Sequence, residues 1–130
     1  MPDRTLTDSD DLDFTEPSAG QVSALLKPRA FATLTDGATV TWATGGAAFP
    51  NAKLTLGGNR TLAITGAVAG QSGTLVVTQD GTGSRTLTLP GGSLREGGAL
   101  TLSTAANAVD VLAYIYDGST YFWTAGKGFA

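Results

Sequence analysis

The sequence predicts an all-β domain, an antiparallel β-sandwich or jelly-roll-like barrel of about eight or nine short strands. The chain holds 20 threonines and 18 glycines among its 130 residues. This pairing favours strands and turns, because threonine is stiff at χ1 and glycine is costly inside a helix. From residue 31 onward, short alternating apolar and polar runs recur at intervals of roughly ten residues, which is typical of a sandwich or barrel.

The first two runs of the domain predict a β-hairpin. FATLT (31–35) and ATVTWAT (38–44) alternate on either side of Asp36 and Gly37. Asp-Gly tolerates the positive φ angles of a two-residue type I′ turn, so we expect these two strands to pair with each other.

The later runs are also bounded by turn residues. AKLTL, RTLAIT, GTLVVTQ, SRTLTLP, ALTLS, VDVLAYIY and TYFWTA follow in order, and glycine-containing segments separate most of them. Within a strand, alternate residues face opposite sides of the sheet. The residues that this alternation predicts to point inward are Leu54, Leu56, Leu62, Ile64, Leu87 and Leu89.

The segment Gly81-Thr82-Gly83-Ser84-Arg85 has the glycine content of a phosphate-binding loop. Such a loop needs the pattern G-x-x-x-x-G-K-[ST] between a strand and a helix, whose N-terminus faces the phosphate. Here the glycines lie between two alternating strands, and no Gly-Lys-Ser/Thr follows. We therefore predict a hairpin or a loop corner, and no nucleotide site.

Residues 1–30 differ in composition from residues 31–130, and we predict an acidic extended arm followed by one β-domain. Residues 1–26 carry six acids and one base, whereas residues 27–130 carry seven bases and five acids. The arm is expected to be disordered alone or ordered against a partner. Its DSDDLDF stretch lacks the sharp-turn glycine and the closing glutamate of a calcium loop, so we predict no metal site there.

Few residues of this chain could act in catalysis. Cysteine and histidine are both absent, which excludes disulfides, thiolate metal sites and Ser-His-Asp or Cys-His catalysis. Asp36, Asp80 and Asp117 each precede a glycine, and turn formation explains them. Asp110 lies in an apolar strand and has no obvious carboxylate partner. We predict a protein that is not an enzyme and has no cofactor.

The composition also argues against two classes of partner. The basic residues of the β-domain form no run, so a nucleic-acid interface is not expected. No apolar run approaches the roughly 18 residues of a membrane-spanning helix. The acidic N-terminus lacks the basic and then apolar pattern of a secretion signal.

The last 25 residues contain a strand that is apolar on both faces. In VDVLAYIY, both alternating sets are mostly apolar, although an antiparallel strand of a two-layer sandwich should be polar on its outer side. A second cover is therefore expected, which is the acidic arm, a stacking ligand such as a sugar, or, as we favour, a neighbouring subunit. The predicted interface residues are Leu112, Tyr114, Tyr116 and Phe122, and the predicted glycan-stacking residues of the alternative are Tyr121 and Trp123.

Three stretches together resemble a module of tailed-bacteriophage virion proteins. They are NRTL (59–62), AGQSGTLVVTQDGTGSRT (69–86) and ANAVDVLAYIYDGSTY (106–121). Similar modules occur in tail-fibre, head-fibre and capsid decoration proteins. The resemblance implies a homotrimeric β-structure on the virion exterior and carries over no catalytic residue.

Chain length and charge then favour one role within this group. A short acidic arm and one β-domain suit a homotrimeric capsid decoration (cement) protein or short head fibre that binds and stabilises the shell. It would be made in the bacterial cytoplasm without a signal peptide. The alternative is a tail-fibre or tail-tip adhesin domain that binds host-surface polysaccharide. The residues predicted to anchor the arm to the major capsid protein or another virion protein are Asp8, Asp10, Asp11, Asp13 and Phe14.

Overall fold

A computed structural model of the chain describes residues 31–47 and 49–130. Among these residues it contains nine strands and one short 3-10 turn, Glu96–Gly98. The strands are β1 Phe31–Thr33, β2 Thr39–Ala43, β3 Asn51–Leu56, β4 Arg60–Thr65, β5 Ser72–Gln79, β6 Leu87–Thr88, β7 Ser93–Arg95, β8 Val109–Tyr116 and β9 Tyr121–Phe129. They form a six-stranded sheet, ordered β1-β3-β5-β8-β9-β7, and a three-stranded sheet, ordered β2-β4-β6. The predicted all-β, sandwich-like fold class is confirmed, but the predicted antiparallel pairing is found only where β8 pairs with β5 and β9, and the other described pairs are parallel.

The first six strands wind as three stacked coils. In each coil the first strand lies in the six-stranded sheet and the second lies in the three-stranded sheet. Successive coils pair in parallel, β1 with β3, β3 with β5, β2 with β4, and β4 with β6. A parallel pair needs a long crossover connection, and here the visit to the opposite sheet provides it.

This winding corrects the predicted hairpin at Asp36 and Gly37. The two residues turn a corner between the sheets, because β1 and β2 belong to different sheets and do not pair. The glycine-rich segment 81–85 was predicted to be a hairpin turn or a loop corner. It is a corner between β5 and β6. ALTLS (99–103), predicted as a strand, lies outside the strands, while β7 was not predicted.

Among the described strands, β8 is a member of every antiparallel pair. β8 pairs antiparallel with β5 and β9, and β7 adds in parallel to the far side of β9. Asp117 stabilises the β8–β9 turn, since its Oδ1 accepts hydrogen bonds from the backbone N–H groups of Ser119 (2.9 Å) and Thr120 (2.7 Å). These bonds lower the pKa of Asp117.

Polar side chains connect the corners of the stacked coils. Arg60 of the second coil donates two hydrogen bonds of 2.8 Å to Asp36 of the first, and this pairing lowers the pKa of Asp36. In the third coil, Arg85 donates to Asp80 at 3.0 Å and holds the pKa of that carboxyl at about 2. Bidentate guanidinium–carboxylate pairs add geometric specificity as well as energy, so these contacts fix where each corner lies.

The core lies between the two sheets. The predicted inward residues point into it, since Leu54, Leu56, Leu62 and Leu89 are buried and the remaining two, Ile64 and Leu87, pack against them. Each fully buried side chain of this size stabilises the fold by about 1.5–3 kcal/mol relative to an exposed one. The other buried apolar residues are Val40, Trp42, Ala52, Leu75, Val77, Leu112, Tyr114, Tyr121 and Trp123.

Among the described residues, no helix has the length and apolarity needed to cross a membrane.

Candidate functional site: two outer faces and a groove

The two faces of β8 have different environments. Asp110, Leu112 and Tyr114 point inward and are at most 3% exposed, whereas Ile115 on the opposite face is 51% exposed. Leu112 and Tyr114, predicted at a subunit interface, therefore pack in the core of their own chain. Tyr116, the third member on that face, is half-buried. The face of β8 that is exposed to solvent is the opposite one, which carries Ile115.

Asp110 acts as a structural residue. Its carboxylate accepts hydrogen bonds from the backbone N–H groups of Ser103 (2.7 Å) and Gly128 (2.9 Å). It thereby joins the segment before β8 to the end of β9. In residues 31–47 and 49–130, no three acidic side chains gather as a metal site would require.

An aromatic cluster centred on Tyr114 fills one part of the core. The ring meets Trp42 edge-on at 5.6 Å between centroids and lies 5.0 Å from Trp123. The Tyr114 hydroxyl donates a 2.6 Å hydrogen bond to Gln71 Oε1. Burial raises the pKa of Tyr114, so the hydroxyl stays protonated as a donor. Gly73, opposite Tyr114 across the strand pair, is required because a Cβ there would overlap the ring.

The aromatic residues predicted to stack on a glycan belong to this cluster. Trp123 is 2% exposed and donates its indole N–H to Ser93 Oγ at 2.9 Å. Tyr121 is 7% exposed and stacks on Tyr116 with 4.3 Å between ring centroids. A sugar that stacks on an aromatic ring needs an open ring face, and neither Trp123 nor Tyr121 offers one in this chain.

The outer face of the six-stranded sheet carries an exposed apolar row, formed by Leu94, Phe122 and Ile115. Leu94 of β7 pairs with Phe122 of β9, and Phe122 pairs with Ile115 of β8. Their exposed fractions are 57%, 44% and 51%. Phe122 thus shares a face with Ile115 and not with Tyr114, so the four predicted interface residues divide between the two sides of the sheet.

The apolar row was only partly visible in the sequence. Alternation placed Ile115 opposite Tyr114, which is what the structure shows. Leu94 was not predicted from the sequence, because Ser93–Arg95 is too short to show alternation. The sequence did contain one indication of a strand here, because the apolar Leu94 lies between polar neighbours shortly after the turn at Gly91 and Gly92.

The outer face of the three-stranded sheet carries a threonine ladder. Thr39 of β2 pairs with Thr61 of β4, and Thr61 pairs with Thr88 of β6. All three residues are exposed, and so is Thr41. This face is polar throughout its centre, as expected for a sheet face in contact with water.

A half-open groove of about 140 Å³ lies between the 3-10 turn and β9. Glu96 accepts a 2.5 Å hydrogen bond from the Thr124 hydroxyl. Lys127 Nζ donates a long hydrogen bond of 3.4 Å to Thr101 Oγ1. The ion pairs of the described residues, Arg60–Asp36 and Arg85–Asp80, involve neither Glu96 nor Lys127. The remaining lining residues are Ala99, Leu100 and Ala125.

The residues predicted to anchor the acidic arm, Asp8, Asp10, Asp11, Asp13 and Phe14, lie outside the described residues. Their role stays a prediction.

Comparison with known proteins identifies one family. Residues 51–121, more than half of the chain, match the family described as "Putative phage tail fibre C-terminal domain". No curated protein matches the chain, and no solved structure matches it. The matched range runs from the start of β3 to the start of β9 and so includes two of the three coils. The predicted resemblance to phage virion structural proteins is confirmed at this level.

Proposed function

We propose a tail-fibre role for this chain, which belongs to the phage tail fibre C-terminal domain family. The family is structural and virion-associated. In our proposal the β-domain is a non-enzymatic part of a tail fibre that forms a homotrimer and contacts polysaccharide on the host surface. The observation that carries the self-association is the exposed row Leu94–Phe122–Ile115, in register across three strands.

The dimensions of the outer face suit a protein–protein contact. Six strands about 4.8 Å apart, with a mean length of about six residues at 3.3 Å each, present a surface of roughly 600 Å². A standard interface buries about 800 Å² on each partner. With modest contributions from its margins, this face is large enough for a specific contact between copies.

A second copy of the chain fits the apolar row better than the acidic arm does. The arm contains six carboxylates in its first 26 residues, and an apolar surface cannot compensate their desolvation. Further copies bring their own apolar rows, and in a homotrimer the three rows would meet around the three-fold axis, so that all three surfaces lose water together. The homotrimer in particular follows from the resemblance to trimeric virion modules, and the arm remains free to bind another virion protein.

A capsid decoration protein or short head fibre is the second candidate. The observation in its favour is the charge asymmetry between an acidic segment and a weakly basic domain, which is suited to anchoring on a shell. In that role, binding only to the assembled shell would stabilise it by mass action. The family match favours the tail fibre over this role.

The copy number in purified particles distinguishes the two candidates. Quantitative mass spectrometry would compare this chain with the major capsid protein of the same particle. A few trimers per particle support the tail-fibre role. A ratio near one copy per capsid subunit, or one trimer per few subunits, would contradict it and establish the decoration role.

A further inference from the structure

We infer that the groove between the 3-10 turn Glu96–Gly98 and strand β9 binds one neutral sugar ring of a polysaccharide. The inference deepens the proposed contact with host polysaccharide and rests on it. It assigns that contact to four polar side chains, Glu96, Thr101, Thr124 and Lys127, in place of the buried aromatic residues.

The polar groups of the groove retain unused hydrogen-bonding capacity. The Glu96 carboxylate offers about four acceptor positions, and the described contacts use one of them, for Thr124. The Lys127 ammonium has three donors and uses one, in a long bond to Thr101. A carboxylate and an ammonium that face one groove match a pair of neighbouring hydroxyls, one donating to Glu96 and the other accepting from Lys127.

The charges of the groove favour a neutral sugar. Glu96 and Lys127 carry opposite unit charges, and the other five lining residues carry none. An acidic sugar, such as a uronic acid, would be attracted by Lys127 and repelled by Glu96, so its charge would gain little. A neutral hydroxyl pair uses both side chains favourably.

The size and walls of the groove fit a single ring. A volume of about 140 Å³ is below the range of roughly 300–1,000 Å³ that is typical of pockets for drug-sized ligands. Ala99, Leu100 and Ala125 supply apolar wall for the C–H face of a ring. β9 fixes one side of the groove, and the turn that follows β7 fixes the other.

The test is a glycan array probed with the full 130-residue chain. The array would hold neutral hexose, deoxyhexose and N-acetylhexosamine oligosaccharides beside matched uronic-acid oligosaccharides. The wild-type chain is expected to bind a neutral oligosaccharide. Glu96→Ala and Lys127→Ala should each weaken that binding by at least about tenfold, the effect of losing a hydrogen bond to a charged group.

The matched control is Thr41→Ala, which shortens an exposed side chain on the outer face of the three-stranded sheet that does not line the groove. It should leave binding unchanged, and unfolding curves should show that all three variants remain folded. Binding that survives both groove substitutions would overturn the groove assignment and leave the polysaccharide contact standing. Stronger binding of uronic-acid oligosaccharides would overturn the neutral class. If the wild-type chain bound no glycan, both the groove and the polysaccharide contact would be overturned.

Discussion

The outer faces of the two sheets differ in what they present to water, although the three coils contribute three strands to each sheet. On the six-stranded sheet, Leu94, Phe122 and Ile115 form a continuous apolar row. On the three-stranded sheet, the outward positions hold a threonine ladder, Thr39, Thr61 and Thr88. Inward-facing residues are mostly apolar in both sheets, so the two sheets differ mainly in the residues that face outward.

This difference shows where the domain needs a partner. A threonine face is compatible with water, whereas a contiguous exposed apolar surface is an interaction site or an aggregation hazard. The apolar row arises at the end of the chain, where β7, β8 and β9 extend the coil stack beyond the three-stranded sheet. The antiparallel extension therefore supplies the surface that we expect to be covered.

The largest expected effect is on stability and distinguishes the inward side of β9 from its outward side. Trp123 and Phe122 are neighbours in the chain, but Trp123 is 2% exposed and Phe122 is 44% exposed. Trp123→Ala should lower the free energy of unfolding by about 3–5 kcal/mol, because it leaves a large cavity in the core. Urea unfolding measures this loss. Phe122→Ala is the control and should affect association instead, so equal destabilisation by both variants would contradict the assigned faces.

The next effect compares the two outer faces directly. Ile115→Glu places a charge within the apolar row and should weaken self-association by at least about 100-fold, or 2.7 kcal/mol, because a charge buried without a partner is costly. Thr61→Glu introduces the same charge on the threonine ladder and should leave association unchanged. Sedimentation velocity over a concentration series measures both. Equal loss of association in the two variants would argue against the apolar row as the contact.

A smaller effect concerns the corner contacts shared by both sheets. Arg85 holds the pKa of Asp80 at about 2, below its ordinary value of 3.8. A carboxyl with a lowered pKa in the folded state contributes stability above its unfolded pKa and loses it as pH falls toward the folded value. Thermal stability should therefore decline between about pH 4 and pH 2.

Asp80→Asn should flatten part of that decline, and thermal unfolding between pH 6 and pH 2 measures it. Glu96→Gln is the matched control, since Glu96 forms none of the ion pairs among the described residues. If Asp80→Asn left the acid dependence as steep as in the wild-type chain, the Asp80–Arg85 pair would not be its source.

The smallest effect tests the threonine ladder. Thr61→Val keeps the side-chain shape and removes an exposed hydroxyl, so the free energy of unfolding should change by no more than about 0.5 kcal/mol. Chemical denaturation measures this change. A loss of several kcal/mol would mean that the hydroxyl makes a structural contact and that the ladder is not a simple water-facing surface.

The alternation of apolar and polar residues was sufficient to predict that the chain is rich in strands and which of their side chains point into the core. Leu54, Leu56 and Leu62 were identified correctly because a period of two is a local property of the chain. The turn at Asp117 and Gly118 was also recognisable from its residue types.

Strand pairing was not accessible by the same reasoning. Asp-Gly serves equally as a hairpin turn and as a corner between sheets, so Asp36 and Gly37 did not reveal that β1 pairs with β3. A repeat search offered a better signal, since Arg60 and Arg85 each follow a glycine-rich corner and precede Thr-Leu.

The predicted site residues depended on pairing as well. Grouping Phe122 with Tyr114 required the register between β8 and β9, and the structure pairs Phe122 with Ile115 instead. One residue of register exchanges the two faces of a strand. The groove lined by Glu96 and Lys127 joins residues about 30 positions apart, and local patterns contain no trace of it.

The mass of the full-length chain in solution tests most directly whether a second copy covers the apolar row. Native mass spectrometry and sedimentation equilibrium at micromolar concentration would measure it at neutral pH. We predict three chains of 13.1 kDa each, with Phe122 and Ile115 protected from solvent in the assembly. A stable, soluble species of 13.1 kDa over the whole concentration range would contradict the account.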